Sequence, residues 1–169
     1  MKIRILLSTY NGEKYLREQL DSIISQTYKD WELTIRDDGS TDGTLQLLEQ
    51  YCKKDSRIEI IKGQNVGVIQ SFYELVKYKV ADFYFFCDQD DVWFPEKIDR
   101  VAKETRKYDN TRPILYYNDL RVVDSSLSTI RERMINTVGK TPASGKLIQE
   151  LLRNSVTGCA SAINHVLAE

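Results

Sequence analysis

The sequence has few of the residues from which cysteine or histidine sites are built. Its 169 residues include one histidine, His165, and three widely separated cysteines, Cys52, Cys87 and Cys159. With no C-x-x-C pair and an odd number of cysteines, neither a zinc clip nor a closed disulfide framework is predicted. Such thiols fit a reducing compartment best, and we therefore expect a cytoplasmic protein.

The sequence also lacks an excess of one charge and any long apolar run. Its 24 Lys and Arg nearly balance its 25 Asp and Glu, which leaves a net charge of -1. Nucleic-acid affinity depends mainly on basic side chains that neutralise phosphates, so no nucleic-acid partner is expected. No apolar run reaches the roughly 18 residues of a membrane span. The run at residues 3–7 is too short for a signal peptide, so the chain as given is expected to be soluble.

Three common catalytic motifs are missing as well. No G-x-G-x-x-G follows the first apolar run, which removes the usual dinucleotide fingerprint. The stretch Gly139-Lys140-Thr141 lacks the earlier glycine of a P-loop, because Met134 occupies that position. Ser40 has no G-x-S-x-G context, so a hydrolase nucleophile elbow is not predicted.

What the sequence does contain is a regular alternation of strand-like and helix-like segments. Apolar runs of strand length occupy residues 3–7, 31–35, 58–61, 83–87 and 114–117, with helically spaced apolar residues between them. The run 83–87 is apolar on both faces, which predicts a central strand, whereas 31–35 has one polar face and is expected nearer the sheet edge. Residues 145–152 predict a short helix, and residues 156–163 an apolar segment of small residues. The alternation predicts an α/β domain with a mostly parallel sheet flanked by helices.

Polar clusters directly follow three of the predicted strands, at residues 8–12, 36–42 and 88–91. Ligands of parallel α/β sheets bind beyond the carboxyl ends of the strands. We therefore expect the three clusters to lie side by side and to form a binding site.

The cluster at 88–91 reads Asp-Gln-Asp-Asp, with three carboxylates in four residues. Such carboxylates repel one another and raise one another's pKa unless a cation offsets them. The natural partner is Mg²⁺ or Mn²⁺, which prefers oxygen ligands and completes its shell with water and phosphate. The alternative is a solvated acidic turn that caps the next helix. Because the cluster follows a buried central strand at the ligand-binding edge, we favour the metal site.

Asp37 and Asp38 form a second acidic pair. A carboxylate there can accept a hydrogen bond from a nucleobase N–H or a ribose hydroxyl. The alternative is capping of the following helix by residues 40–42, and one aspartate can serve each role. Tyr10, after the first strand, offers a ring on which a base can stack, although a lone tyrosine more often belongs to the core.

Six motifs follow one another in consistent order and spacing over roughly residues 2–120: residues 6–12, 25–27, 31–33, 37–42, 65–67 and 88–93. As a set they resemble the family 2 inverting glycosyltransferases with the GT-A fold, which is Rossmann-like. The Asp-Gln-Asp-Asp-x-Trp form is most similar to bacterial rhamnosyltransferases that build cell-wall or capsular polysaccharide.

The resemblance implies a nucleotide-binding role for five residues. Thr9 and Tyr10 would border the nucleobase, with Tyr10 contributing its ring, and Asp38 would bond the base edge. Gly67 would lie against the nucleoside and Asp88 near the ribose. The implied partner is a nucleoside-diphosphate sugar, linked to dTDP or UDP, with rhamnose as the candidate sugar.

The D-x-D element of the resemblance falls on Asp88 and Asp90. Asp90, with Asp88 beside it, would hold the divalent cation that bridges the diphosphate, and Asp91 would orient the waters of the metal. The cation, Mg²⁺ or Mn²⁺, offsets the negative charge that builds up on the leaving diphosphate. The implied activity is metal-dependent inverting transfer of a sugar to a glycan or lipid-linked glycan acceptor, such as a cell-wall or capsular polysaccharide.

An inverting transfer also needs a general base on the acceptor side. No carboxylate after Asp91 stands in a convincing base motif, so we expect the base beyond Glu169. Residues 154–160 resemble the segment that leads to the acceptor side. We expect residues 1–120 to form the nucleotide-sugar-binding GT-A subdomain and 121–169 to begin the acceptor-side region of a C-terminally truncated chain. The missing part would bring the protein to the inner face of the bacterial membrane.

Two other functions stay open. A non-catalytic nucleotide-sugar-binding module, or an inactive fragment, fits a chain that has binding residues but no identified base. Nucleotidyl transfer uses similar acidic strand ends, but it normally shows a loop rich in glycine, lysine and arginine after the first strand. Residues 8–14 contain only Gly12 and Lys14 of these types, so we rank nucleotidyl transfer well below glycosyl transfer.

Overall fold

The computed structural model describes residues 1–134 and 156–169, and the helix predicted at 145–152 lies outside the described residues. Strands and helices alternate in the order β1 Ile3–Thr9, α1 Leu16–Ile24, β2 Trp31–Asp37, α2 Thr44–Lys54, β3 Ile58–Lys62, α3 Val68–Tyr78, β4 Phe83–Cys87 and α4 Lys97–Thr105. Three short strands follow, β5 Leu115–Tyr117, β6 Val122–Val123 and β7 Thr129–Arg131. Beyond residue 155, a 3₁₀ turn at Gly158–Ala160 leads into β8, Ser161–Asn164, and a final helical turn, His165–Ala168.

The first four strands form the parallel part of a six-stranded sheet with the order β3-β2-β1-β4-β8-β5. β1 pairs in parallel with β2 and with β4, and β2 pairs in parallel with β3. β8 enters between β4 and β5 and is antiparallel to both. The prediction of an α/β domain with a mostly parallel sheet flanked by helices is confirmed. None of the helices in the described segments combines the length and the apolar character that a bilayer crossing requires.

Helices cover both faces of the sheet because successive residues of a strand point to opposite sides. Ile5 and Leu7 of β1 belong to a large apolar cluster that includes residues of α1, α2 and α4. Leu6, between them, packs in a second cluster with Leu75 of α3 and Tyr84 of β4. With both faces covered, the carboxyl ends of the parallel strands are where a ligand can reach the sheet.

Two of the three alternating polar residues of β2 are buried, and only Glu32 is exposed. Thr34 and Arg36 alternate with apolar residues as predicted, yet they are only 0% and 4% exposed. Arg4 of β1 accounts for part of this burial, because its Nη1 donates to Thr34 Oγ1 at 2.7 Å and to Glu59 Oε1 at 2.9 Å. Buried polar groups are tolerated when they are paired. The alternation of polar and apolar residues in one strand is the same whether the polar side chains are exposed to solvent or buried against polar partners.

β8 is the element that the sequence pattern describes least well. Residues 156–163 were expected only to form an apolar segment, whereas Ser161–Asn164 pairs with both neighbouring strands. In this pairing Phe85 of β4 faces Ala162, a residue far away in sequence. One consequence matters for the site: Cys159, just before β8, is brought close to the residues that follow β4.

Candidate functional site

Three loops lie together at the carboxyl edge of the sheet because the strands that carry them are neighbours. The register aligns Thr9 of β1 with Asp37 of β2, and Leu7 of β1 with Cys87 of β4. We call these loops the β1 loop, residues 10–15, the β2 loop, residues 38–43, and the β4 loop, residues 88–96. The structure thus brings together the three polar clusters that follow the strands.

The β1 and β2 loops are fixed to each other by side chains that bond backbone N–H groups. Asn11 adopts a left-handed conformation, with φ of 49°. Its backbone N–H donates to Ser40 Oγ at 2.9 Å, and its side-chain Oδ1 accepts from Thr41 N at 2.8 Å. Gly12 N donates to Thr44 Oγ1 at 2.8 Å. The first two bonds join the β1 loop to the β2 loop, and the third joins the β1 loop to the first residue of α2, so these bonds fix the two loops to each other.

Gln89 fixes the β1 loop to the β4 loop. Its Oε1 accepts from Tyr10 N at 2.9 Å, and its Nε2 donates to Tyr10 O at 3.3 Å. A Cβ added at Gly12 would lie 2.5 Å from Gln89 Oε1, so a side chain there would displace the Gln89 amide. The pair leaves the Tyr10 side chain 46% exposed. The sequence singled out residues 88–91 but predicted no role for Gln89, since its partner lies 79 residues away.

Asp37 stabilises the start of the β2 loop. The carboxylate is 2% exposed, and its Oδ1 accepts from Ser40 Oγ at 2.6 Å and from Thr9 Oγ1 at 3.2 Å. Its Oδ2 accepts from Ser40 N at 3.0 Å. Asp42 Oδ1 accepts from Thr44 N at 3.0 Å, at the start of α2, whose N-cap residue is Gly43. Thr9 and Asp37 therefore hold the loop in shape.

Asp38 joins the β2 loop to the segment before α3. It is also 2% exposed, and its Oδ2 accepts from Val66 N at 2.9 Å and from Gly67 N at 3.1 Å. Its Oδ1 forms an ion pair with Arg36, whose Nε also donates to Glu74 Oε2 at 2.8 Å. Gly67 has φ of 81°, and a Cβ there would meet nothing within 4 Å. Glycine is thus required by the backbone, and the space beside it is open.

The β4 loop brings Asp88 and Asp91 together with Cys159. One ligand atom from each of the three residues lies within 4.8 Å of the others. Burial, followed by the negative charge of Asp91, raises the pKa of Asp88 above its ordinary value. Burial and then Asp91 also raise the pKa of the Cys159 thiol, which stays neutral at physiological pH. Two close carboxylates beside a neutral thiol fit a hard divalent cation, which prefers oxygen ligands.

Asp90 is exposed and does not belong to this group of three within residues 1–134 and 156–169. The resemblance implied a ligand role for Asp90 and a water-orienting role for Asp91, and it is Asp91 that the structure places beside Asp88. The ligand role of Asp90 stays a prediction. Cys159 was not predicted, because only the pairing of β8 with β4 brings it to this edge.

The chain matches a family model described as Glycosyl transferase family 2 over residues 4–162. The putative glycosyltransferase EpsE of Bacillus subtilis is 37% identical over 109 residues, which are 63% of this chain and 39% of EpsE. The dTDP-rhamnosyl transferase RfbG of Shigella flexneri is 41% identical over 98 residues, which are 54% of this chain and 34% of RfbG. The chain therefore spans less than half the length of these relatives.

A solved structure, S. aureus TarS 1-349 in complex with UDP-GlcNAc, is similar with a TM-score of 0.59 and 30% sequence identity. The match covers 63% of this chain and 32% of that chain. The similarity confirms that the α/β sheet described above is a GT-A fold.

Proposed function

Because this chain belongs to glycosyltransferase family 2, we propose that it binds a nucleoside-diphosphate sugar at the β1, β2 and β4 loops for transfer to a glycan. The observation that carries the proposal is the close pair of Asp88 and Asp91 carboxylates beside loops that are already fixed. These carboxylates repel each other, which favours a bound cation and, through it, an anionic ligand.

A divalent cation, Mg²⁺ or Mn²⁺, is part of the proposal. Asp88 and Asp91 would hold it through carboxylate oxygens, and Asp90 is exposed in the same loop and available to it. When bound, the cation offsets the charge that develops on the diphosphate as the sugar leaves. A softer ion is less suitable, because the Cys159 thiol would first have to lose a proton that its raised pKa retains.

The nucleobase would lie between the β1 and β2 loops. The exposed Tyr10 ring is available for stacking, and Gln89 holds the backbone beneath it. Asp38 would accept from the imide N–H that uracil and thymine share, in addition to the bonds that it makes in the protein. Thr9 contributes through its bond to Asp37, and the open space at Gly67 would take the nucleoside.

The sugar and the acceptor form the finer part of the proposal. Similarity to RfbG favours dTDP-rhamnose as the donor, and similarity to TarS favours a UDP-sugar. We propose a glycan or lipid-linked glycan as the acceptor, at the inner face of the bacterial membrane, with a general base beyond Glu169. Residues 1–120 would form the nucleotide-sugar-binding subdomain and 121–169 the start of the acceptor-side region.

Calorimetric titration of UDP and dTDP into the chain, each with Mn²⁺ and with a chelator, tests this function. We expect saturable binding of at least one nucleotide that is lost when the metal is removed. Binding of neither nucleotide in the presence of Mn²⁺ or Mg²⁺ would contradict the proposal. Binding that does not change on chelation would keep the nucleotide site and remove the metal from it.

A further inference from the structure

A lysine side chain lies beside Asp88 and Asp91, which we call the acidic group of the β4 loop. The proposed contacts with the donor and the metal give this lysine no role. Lys97, the first residue of α4, is half-buried, and its Nζ donates to the backbone oxygen of Cys159 at 3.1 Å. The same Nζ lies 3.9 Å from the centroid of the Trp93 ring. Cys159 is also the residue whose Sγ lies within 4.8 Å of carboxylate oxygens of Asp88 and Asp91, which places the ammonium beside this acidic pair.

The position of Lys97 in the first turn of a helix, and the partial burial of its side chain, both disfavour a positive charge. The first turn of a helix carries a partial positive charge, so a lysine there is disfavoured where an aspartate or glutamate is preferred. Burial also lowers the pKa of the ammonium group, an effect that neighbouring acidic groups oppose. The Cys159 carbonyl and the Trp93 ring contact the ammonium directly, and the nearby negative charge of Asp88 and Asp91, which form no direct ion pair with it, opposes the effect of burial.

The groups around the ammonium have distinct roles. The Trp93 ring and the Cys159 carbonyl fix the position of Nζ without adding a full charge. The two carboxylates supply the negative charge around it, since burial raises the pKa of the Cys87 and Cys159 thiols and keeps both neutral. Lys97 therefore ties three pieces of the chain together: the β4 loop, α4 and the turn before β8.

We infer that Lys97 is a positioning residue that acts as the fixed counter-cation of Asp88 and Asp91 and thereby limits how tightly this group binds a divalent cation. The inference rests on the proposed metal site. With Lys97 in place, the two carboxylates keep their arrangement before a metal arrives, and an incoming Mn²⁺ meets repulsion from the ammonium. Without the charge, the repulsion between the carboxylates can be relieved only by the metal or by a proton.

The test is Mn²⁺ binding to the whole chain, followed by the paramagnetic resonance signal of free Mn²⁺ at low ionic strength. Lys97→Gln removes the charge but keeps an amide donor for the Cys159 carbonyl. We expect it to bind Mn²⁺ about tenfold more tightly, because one positive charge is removed from the surroundings of a partly buried site. Lys97→Arg, which keeps the charge, should bind Mn²⁺ as the parent chain does.

Lys103→Gln is the matched control. Lys103 lies on the same helix and pairs with Asp99 at 2.6 Å, and its side chain is 70% exposed. Its removal changes the net charge of the chain by the same amount without touching the acidic group, so Mn²⁺ affinity should not change.

A folded Lys97→Gln chain with parent-like or weaker Mn²⁺ affinity would overturn the inference, while UDP binding that still requires Mn²⁺ would leave the proposed function intact. A Lys97→Gln chain that stays unfolded with and without Mn²⁺ would assign Lys97 a purely structural role and also overturn it. A chain that folds only when Mn²⁺ is added would support it. If the parent binds Mn²⁺ neither alone nor with UDP, both the metal part of the proposed function and this inference are wrong.

Discussion

The acidic pair after β2 and the acidic group after β4 lie at nearby strand ends, yet they are neutralised differently. Every carboxylate oxygen of Asp37 and Asp38 is engaged by a hydroxyl, a backbone N–H or the Arg36 guanidinium. Asp88 and Asp91 instead face each other and a neutral thiol, with the Lys97 ammonium nearby. We call Asp37 and Asp38 the scaffold pair, because donors from the fold offset their charge and they need no cation, whereas the carboxylates of Asp88 and Asp91 stay in excess of local positive charge and are available to one.

The largest effect on stability is expected when the scaffold pair is broken. Asp38→Ala would leave the Arg36 guanidinium without its buried partner and the N–H groups of Val66 and Gly67 without an acceptor. We expect a loss of about 3–5 kcal/mol in the free energy of unfolding, measured by urea denaturation. Asp90→Ala, at an exposed position of the β4 loop, should change it by less than about 0.5 kcal/mol. Equal losses in the two variants would remove the distinction between the clusters.

The opposite pattern is expected for the β4 group. Asp91→Asn removes the repulsion with Asp88, so the free energy of unfolding should stay within about 1 kcal/mol of the parent. Nucleotide binding in the presence of Mn²⁺ should weaken about tenfold or more, because a ligand of the cation is lost. Calorimetry of UDP with Mn²⁺ measures this change, and Asp99→Asn on α4 is the control that should bind as the parent does. A destabilised Asp91→Asn chain with unchanged binding would make Asp91 a scaffold residue.

A smaller effect is expected from the contact that joins the two regions. Gly12→Ala places a methyl group against Gln89 Oε1 and displaces the amide from the Tyr10 backbone. We expect a loss of about 1 kcal/mol in thermal or urea denaturation, the worth of the Gln89 hydrogen bonds, together with weaker nucleotide binding. At Gly158 a Cβ would meet nothing within 4 Å, so Gly158→Ala should be nearly silent. If both alanines behaved alike, Gln89 would not be what fixes the β1 loop.

The smallest effect concerns acid stability. Burial acts to raise the pKa of Asp42, but hydrogen bonds from Thr44 and Glu13 outweigh it and lower the pKa below its ordinary value of 3.8. A carboxylate with a lowered pKa in the folded state stabilises the fold above its unfolded-state pKa, and this stabilisation is lost as the pH falls. Asp42→Asn keeps a side-chain oxygen for Thr44 N and should flatten the loss of stability below about pH 4. Denaturation midpoints from pH 7 to pH 3 would show this, and a parent-like slope would contradict it.

The sequence predicted the parallel sheet and the edge at which the site lies for physical reasons that are local. A strand of period two and a helix of period 3.6 leave patterns within about ten residues, and Asp-rich or glycine-rich loops mark where each strand ends. The juxtaposition of residues 8–12, 36–42 and 88–91 follows from parallel strands meeting at one edge. The meeting of three polar loops at that edge could therefore be predicted from the sequence alone.

What escaped prediction depends on pairings between distant residues. Gln89 bonds Tyr10, and Lys97 bonds the Cys159 carbonyl, across 79 and 62 residues of sequence. The insertion of β8 between β4 and β5 decides that Cys159 lies beside Asp88. The same limit applies to Asp38, since only the folded chain shows that Arg36 and two backbone N–H groups already engage its carboxylate.

The most direct measurement is an anomalous difference map from crystals of the chain grown with Mn²⁺ and UDP. The account predicts one strong manganese peak about 2.1 Å from a carboxylate oxygen of Asp88 or Asp91, with the diphosphate on its other side. No peak at Asp37 and Asp38 is expected, because their oxygens are already engaged. A manganese peak at that pair, or bound UDP with no metal at the β4 loop, would contradict the account.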